Sequence, residues 1–399
     1  MKKKIIVEVN LGNYGSTGNI MKGISDEAEK KGYVVYQAYP QNAQNLPAQK
    51  QDIVICPSWY LKITRSLAMY TGYNGCFSIL ATLLFLRKVK KVNPSAFHFH
   101  NLHDSYINLP LLFRYIKKHK IPVIWTLHDC WAFTGRCPHF VSIPCYKWKG
   151  AGCSSCPQLN TYPITKRDRS KYLWEHKKHW FTKIDNLQII TPSQWLADFV
   201  KQSFLKDYPI SVINNGIDLN IFRPTKSDFR QNNSLESKYI ILGVAYGWGK
   251  KKGLDVFIEL SKRLDNRFQI VLVGTNKEID KIIPNDIISI HNTHDQHELA
   301  ELYSVADLFV NPSREENYPT VNMEAIACGT PVLTFRTGGS PEIVDDKTGY
   351  VVDIDDIDEM EKQIVRICTN KTFTLEDCLK RSKAFDKYLK YQEYIDLYE

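Results

Sequence analysis

Short, β-rich apolar runs alternate along this chain with amphipathic helical segments, and the whole alternation starts again past the midpoint. Candidate strands fall at residues 5–10, 33–39, 52–56, 96–99, 123–127 and 187–191, with helical patterns such as 20–31 and 109–118 between them. A second series has strands at 239–245, 268–273, 287–290, 308–311, 331–335 and 350–352, and a helical segment at 254–264. Strand–helix–strand repeats predict parallel pairing, because the helix returns the chain to the same end of the sheet with a right-handed crossover. The expected fold class is therefore α/β, with two Rossmann-like, doubly wound domains. A polar stretch at about 218–237, with Pro224 and the run Gln231-Asn232-Asn233, separates the two series. The expected division is 1–219, 220–375 and a helical tail, 376–399, that packs back on the first domain. Open parallel sheets bind ligands at the carboxyl ends of their strands, so the two domains are expected to face each other across a binding cleft.

A length of 399 residues supports two cores, and 43% hydrophobic with 24% charged residues excludes wholesale disorder. The opening MKKKIIVEVN reads as a first strand, since its apolar run is too short for a signal peptide. The longest apolar stretch, 76–86, falls short of the roughly 18 residues that span a bilayer. A cytoplasmic location is expected, and there ten cysteines favour metal binding over disulfides. The net charge of +9 divides into +16 over residues 1–220 and −7 over the remainder. A basic half points to an anionic partner, either nucleic acid or a membrane surface. The aromatic and apolar stretch 59–86 ends in the basic run 87–91, a pattern that can lie in a membrane interface. Peripheral attachment at the inner face of the membrane is one expectation.

The densest chemistry follows Asn311. A polar loop carries Glu315 and Glu316, Pro319 pre-sets a helix start, and Glu324 lies on that helix before Gly329 and Pro331 stop it. Free N–H groups at the helix start favour an anion. The first domain opens with Gly12, Gly15, Ser16 and Gly18 between strand and helix, a spacing that does not fit dinucleotide binding. His98, His100, His103 and His128 stand at strand ends, with His98 expected to be structural. Cys137, Cys145, Cys153 and Cys156, the last two a C-x-x-C, suit a closed structural zinc site; free thiols are the alternative.

These motifs together resemble the retaining enzymes of glycosyltransferase family 4, which have the GT-B fold. The resemblance rests on Glu316-x7-Glu324, on Gly329-Thr-Pro331-Val332, and on Gly338-Gly339-Ser-Pro-Glu342. It extends to the junction 212–224 and to the loop 243–253, where Lys252 matches the family lysine and Lys251 replaces its arginine. A lysine neutralises phosphate as a point charge without the bidentate fork. The resemblance implies transfer of a sugar from a nucleotide-diphosphate donor, UDP- or GDP-linked, with no catalytic metal. It implies that Glu316 holds donor-sugar hydroxyls, Glu324 the ribose, and Lys251 and Lys252 the diphosphate. It also puts Gly15, Gly338 and Gly339 near the donor, His128 on the donor sugar, and Ser16 and His103 on the acceptor side. Capsule- and colanic-acid-type members carry a similar cysteine-rich insertion, here about 130–157. The basic first half and the stretch 59–86 ending in the basic run 87–91 make a growing lipid-linked surface polysaccharide the expected acceptor. A GT-B-fold nucleotide-sugar epimerase and a zinc-containing nucleic-acid binder are the competing readings. The glutamate pair and lysine loop disfavour the first; the lack of a recognition module and the acidic second half disfavour nucleic acid as a partner.

Overall fold

The computed structural model describes residues 3–399. It divides into two compact units, one running to Ile213 and joined by Tyr391–Glu399, the other Asn214–Lys390. The strands of the first unit are β1 (Ile5–Val9), β2 (Val34–Tyr39), β3 (Ile53–Val54), β4 (Ala96–Phe99), β5 (Val123–Thr126), β6 (Leu187–Thr191) and β7 (Ile210–Val212). Their order is β3-β2-β1-β4-β5-β6-β7 and every pairing is parallel. Chain progression therefore reverses between β1 and β4, the place where an open sheet of this kind offers its carboxyl-end crevice. The central strands are buried along their length, as sheets covered on both faces require.

The first helix, α1 (Gly15–Lys30), turns Ile20, Met21, Ile24 and Ala28 inward at helical spacing. Two further helices, α2 (Ser58–Thr71) and α3 (Ile79–Val92), follow β3. β7 is a strand the sequence pattern does not announce: it has three half-buried residues, too few to show alternation.

The second unit holds β8 (Tyr239–Val244), β9 (Phe268–Val273), β10 (Ile288–Ile290), β11 (Leu308–Asn311), β12 (Val332–Phe335) and β13 (Gly349–Val352). Their order is β10-β9-β8-β11-β12-β13, again all parallel. All six residues of β9 are buried.

The helical tail is broken. It runs as Leu375–Ser382, a tight turn at Lys383–Phe385, and Lys387–Asp396. The cause is backbone pairing: Ile217 N–H donates to Phe385 O at 2.8 Å and Lys387 N–H donates to Ile217 O at 3.0 Å. Asp386 thus adopts an extended conformation that a helix cannot pass through. Beyond it, Tyr391, Tyr394, Ile395 and Tyr398 are buried in the first unit's core with Ile6, Ile24 and Ile190. A Cβ added at Gly23 would lie 2.3 Å from the Tyr391 ring, so only glycine admits that ring.

Candidate functional site

In the second unit, three loops meet at the carboxyl ends of β8, β11 and β12. After β8 the chain makes a turn at Lys250–Lys252 that ends on Gly253, whose φ of +76° is left-handed. A Cβ at Gly253 would stand 2.5 Å from Pro312 O, so the lysine turn rests directly on the loop after β11. There Lys251 Nζ meets Glu315 at 2.5 Å and Lys252 Nζ meets Glu316 Oε1 at 2.5 Å. The Arg314 guanidinium fixes the same loop, reaching Asp255 and Asp355 at 2.8 Å and 2.6 Å. Gly338, with φ +54°, approaches so closely that a Cβ would lie 2.0 Å from Glu316 O. Gly339 N–H donates to Asn317 O at 2.6 Å. Glu316 is thus held by its backbone through the Gly-Gly turn and by its carboxylate through Lys252.

Glu324 sits on the helix Thr320–Ala327 and is 9% exposed. Tyr303 O–H donates to its Oε2 at 3.1 Å. Burial pushes its pKa up to about 7, against the pull of the Tyr303 and Thr320 hydroxyls. A buried carboxylate with so few donors is suited to receive hydroxyl groups from a ligand.

In the first unit, Asn10 ends β1 and its amide donates to Gly12 O at 2.9 Å, closing the loop before α1. Gly15, φ +68°, and Ser16 are exposed at the start of that helix, which has no side-chain cap. Two histidine chains run beside it. His100 Nδ1 and His128 Nε2 lie 3.0 Å apart. Burial drives His128 down to about 4, so it is a neutral ring at pH 7. His103 joins Asp129 Oδ2 at 3.3 Å and the Tyr162 hydroxyl at 2.8 Å. Burial raises the Asp129 pKa, but the hydrogen bond and charge of His103 outweigh it and hold the carboxylate ionised.

His98 is fully buried and satisfied. Ser25 and Tyr398 both donate to Glu8, at 2.6 Å and 3.0 Å, and the Tyr398 oxygen lies 2.7 Å from His98 Nδ1. Since the one tyrosine proton goes to Glu8, His98 carries its proton on Nδ1 and accepts from Thr126 at Nε2, 2.9 Å away. Glu8, His98 and His100 are the grouping with metal-ligand reach among the described residues.

The cysteine loop is partly assembled. Cys137 and Cys156 sulfurs lie 4.0 Å apart, near the about 3.8 Å edge that zinc–sulfur bonds of 2.3 Å give a tetrahedron. Gly135 N–H donates to Cys153 Sγ at 3.1 Å. No three of the four sulfurs fall within 4.8 Å of one another among the described residues, so this side-chain arrangement holds a pair rather than the full expected set. Two buried basic side chains flank it, the Arg136 guanidinium and Lys177, whose pKa burial pulls down to about 7. Arg136 is bonded to the backbone carbonyls of Gln158 and Pro163 and reaches Cys156 Sγ at 3.8 Å. Lys177 donates to Trp131 O at 2.8 Å and stands 3.4 Å from the Trp131 ring centre. Neither has a carboxylate salt bridge among the described residues.

Sequence reasoning gave no role to Asp129, Arg136 or Lys177. Asp129 is signalled by its position next to His128. Lys177 is signalled by its spacing from Leu173 and Phe181, which puts it on the buried face of the helix Ser170–Phe181.

Two family models match the chain: Glycosyltransferase Family 4 over residues 21–221 and Glycosyl transferases group 1 over 225–389. The putative colanic acid biosynthesis glycosyl transferase WcaC of Escherichia coli K12 is 26% identical over 378 residues, 92% of this chain and 88% of that one. An Escherichia coli UDP-Gal:alpha-D-GlcNAc-diphosphoundecaprenol alpha-1,3-galactosyltransferase is 23% identical over 297 residues, 69% of this chain and 74% of its own. Among solved structures, Anabaena HepE in complex with UDP superposes with a TM-score of 0.69 at 14% identity, over 99% of each chain.

Proposed function

Since this chain belongs to glycosyltransferase family 4 and is a glycosyltransferase, we propose that it moves a sugar from a UDP- or GDP-sugar to a lipid-linked saccharide in surface polysaccharide synthesis, with retention at the anomeric carbon. The observation that carries this reading is the pairing of Lys251 and Lys252 with Glu315 and Glu316 on the loop clamped by Gly338. Departure of a nucleoside diphosphate builds negative charge, and cations fixed beforehand stabilise it at little reorganisation cost. Lys252 and Lys251 exchange their carboxylate partners for the donor phosphates. That exchange leaves Glu316 to accept hydrogen bonds from donor-sugar hydroxyls, while Glu324 accepts from the ribose. No metal is assigned to the chemistry. The names of relatives acting on undecaprenol-linked saccharides support the acceptor class. Ser16 and His103 are assigned to the acceptor. His128, being neutral, orients a hydroxyl instead of supplying charge.

Cys137, Cys145, Cys153 and Cys156 are assigned to a structural zinc ion that ties down the loop after β5. Support comes from the C-x-x-C spacing, the Cys137–Cys156 pair, and the buried Arg136, whose guanidinium reaches Cys156 and is suited to balance a thiolate-rich centre.

The donor assignment is tested by thermal unfolding with UDP-, GDP-, ADP- and CMP-sugars. Selective stabilisation by one nucleotide is expected, since binding to the folded state raises stability by mass action. No shift with any of the four at millimolar concentration refutes the donor site.

A further inference from the structure

α2 and α3 turn the wrong chemistry outward. Their inner faces are ordinary: Leu61, Thr64 and Ala68 on α2, and Ala81, Phe85 and Val89 on α3, are buried. Their outer faces should then be polar. On α2 the outer stripe is instead Trp59, Ile63, Leu67 and Tyr70, one helical face at i, i+4, i+8 and i+11, with Trp59 62% exposed. On α3 the stripe opens with Leu80, Leu83 and Leu84, with Leu80 60% exposed, and continues as Arg87, Lys88 and Lys91. These two helices carry 8 of the 20 exposed large hydrophobic residues among the described residues, which marks a patch and not a scatter.

Both helices are fastened to one turn. Arg65 of α2 pairs with Asp104. Ser78, which precedes α3, donates to Ser105 O at 2.6 Å. Neither helix contains an acidic residue. Arg65 is engaged with Asp104, while Lys62, Arg87, Lys88 and Lys91 are exposed. Along α3 the apolar residues occupy the amino-terminal half and the basic ones the carboxyl-terminal half. A helix so divided fits a sloping position in which leucines enter the acyl boundary and the cations stay at the headgroups.

We propose that the outer faces of α2 and α3 dock this enzyme on an anionic lipid bilayer, with Trp59, Leu80, Leu83 and Leu84 entering the interface and Arg87, Lys88 and Lys91 binding headgroup phosphates. Charge complementarity selects this occupant: a water-facing surface of leucine beside lysine, with no acid on either helix, suits an anionic apolar boundary. Among the described residues no helix is long and apolar enough to cross a membrane, so docking is the attachment these helices offer. The inference deepens the proposed lipid-linked acceptor and rests on that reading for its purpose, though not for its evidence.

The test is flotation of the full chain with vesicles of phosphatidylethanolamine and phosphatidylglycerol, against phosphatidylcholine alone, at about 0.1 M salt. Strong flotation with the anionic vesicles and weak flotation with the neutral ones is expected. Arg87→Glu with Lys88→Glu and Lys91→Glu should lower partitioning roughly a hundredfold or more, at several-fold per neutralised cation. Trp59→Ser with Leu80→Ser and Leu83→Ser should also lower it, with little change in the unfolding temperature, because these side chains are exposed in the free protein and lie outside its buried core. Failure of the wild type to float, or unchanged flotation of both variants, overturns the proposal. A dimer in light scattering that the serine variant dissolves overturns it in favour of a second copy on this face. Flotation without transfer to any lipid-linked saccharide would refute the acceptor reading and leave the docking intact. Transfer without flotation would do the reverse.

Discussion

Consider Glu324→Gln. The wild-type carboxyl is 9% exposed, accepts hydrogen bonds from Tyr303, at 3.1 Å, and from Thr320, and is pushed by burial from the ordinary 4.5 up to about 7. In the unfolded chain the same group loses its proton near pH 4.5. Between pH 4.5 and 7 the folded protein therefore holds a proton that the unfolded chain has released, and stability falls as pH rises through that window. The displacement corresponds to roughly 3 kcal/mol, present in full below pH 4.5 and lost above pH 7. Glutamine is nearly isosteric, accepts from Tyr303 through its carbonyl and cannot ionise. The stability difference between variant and wild type should then move by roughly 3 kcal/mol in the variant's favour from pH 4.5 to pH 8. Equilibrium urea titrations at both pH values, read by a brief hydrogen-exchange pulse at one fixed pH on the β9 peptide, isolate the second unit. A difference that stays constant within about 0.5 kcal/mol, a usual error for such extrapolations, refutes the reasoning and means that water reaches Glu324. If ribose hydroxyls donate to this carboxylate, nucleotide binding will also release a proton in the wild type and not in the variant, seen as a buffer-dependent heat.

Gly338→Ala places a Cβ 2.0 Å from Glu316 O at a φ of +54°; transfer should fall at least tenfold with β9 protection retained, since small misplacements of reacting groups cost that much, and activity within twofold of wild type would break the link between the Gly-Gly turn and Glu316. Glu316→Gln should lower turnover by about a hundredfold or more while the unfolding temperature stays put; unchanged turnover removes Glu316 from the site. Tyr398→Phe leaves His98 Nδ1 and Glu8 Oε1 without their shared partner and should destabilise the first unit by about 1–3 kcal/mol, read by exchange on the β4 peptide; no loss would mean that water enters the cluster. Elemental analysis should find one zinc per chain, abolished by Cys137→Ser with Cys156→Ser, and its absence from freshly purified protein would leave four free thiols.

The architecture was legible because its signals are local. A strand, a turn glycine and a helix start each occupy a few residues, as at Asn311, Pro319 and Gly329, and the glutamate spacing lies in one such unit. What escaped depends on residues far apart in the chain. Glu8 alternates with valines as an outward residue of β1 would, yet it is fully buried because Tyr398, 390 positions later, supplies a donor. The tail reads as one helix because nothing near Asp386 forbids it; Ile217 interrupts it from elsewhere. Lys177 stands in a run of charged residues that looks solvated, and its neighbours Leu173 and Phe181 draw it inward.

The dependence of Glu8 on Tyr398 also bears on how the polypeptide is made. Synthesis delivers residue 1 first, and domains commonly finish in that order. Here the first unit is still missing four core side chains, Tyr391, Tyr394, Ile395 and Tyr398, when residues 214–390 have all emerged from the ribosome. Until then Glu8 and His98 lack the Tyr398 hydroxyl that joins them. The first unit therefore cannot complete its core until the whole of the second has been synthesised.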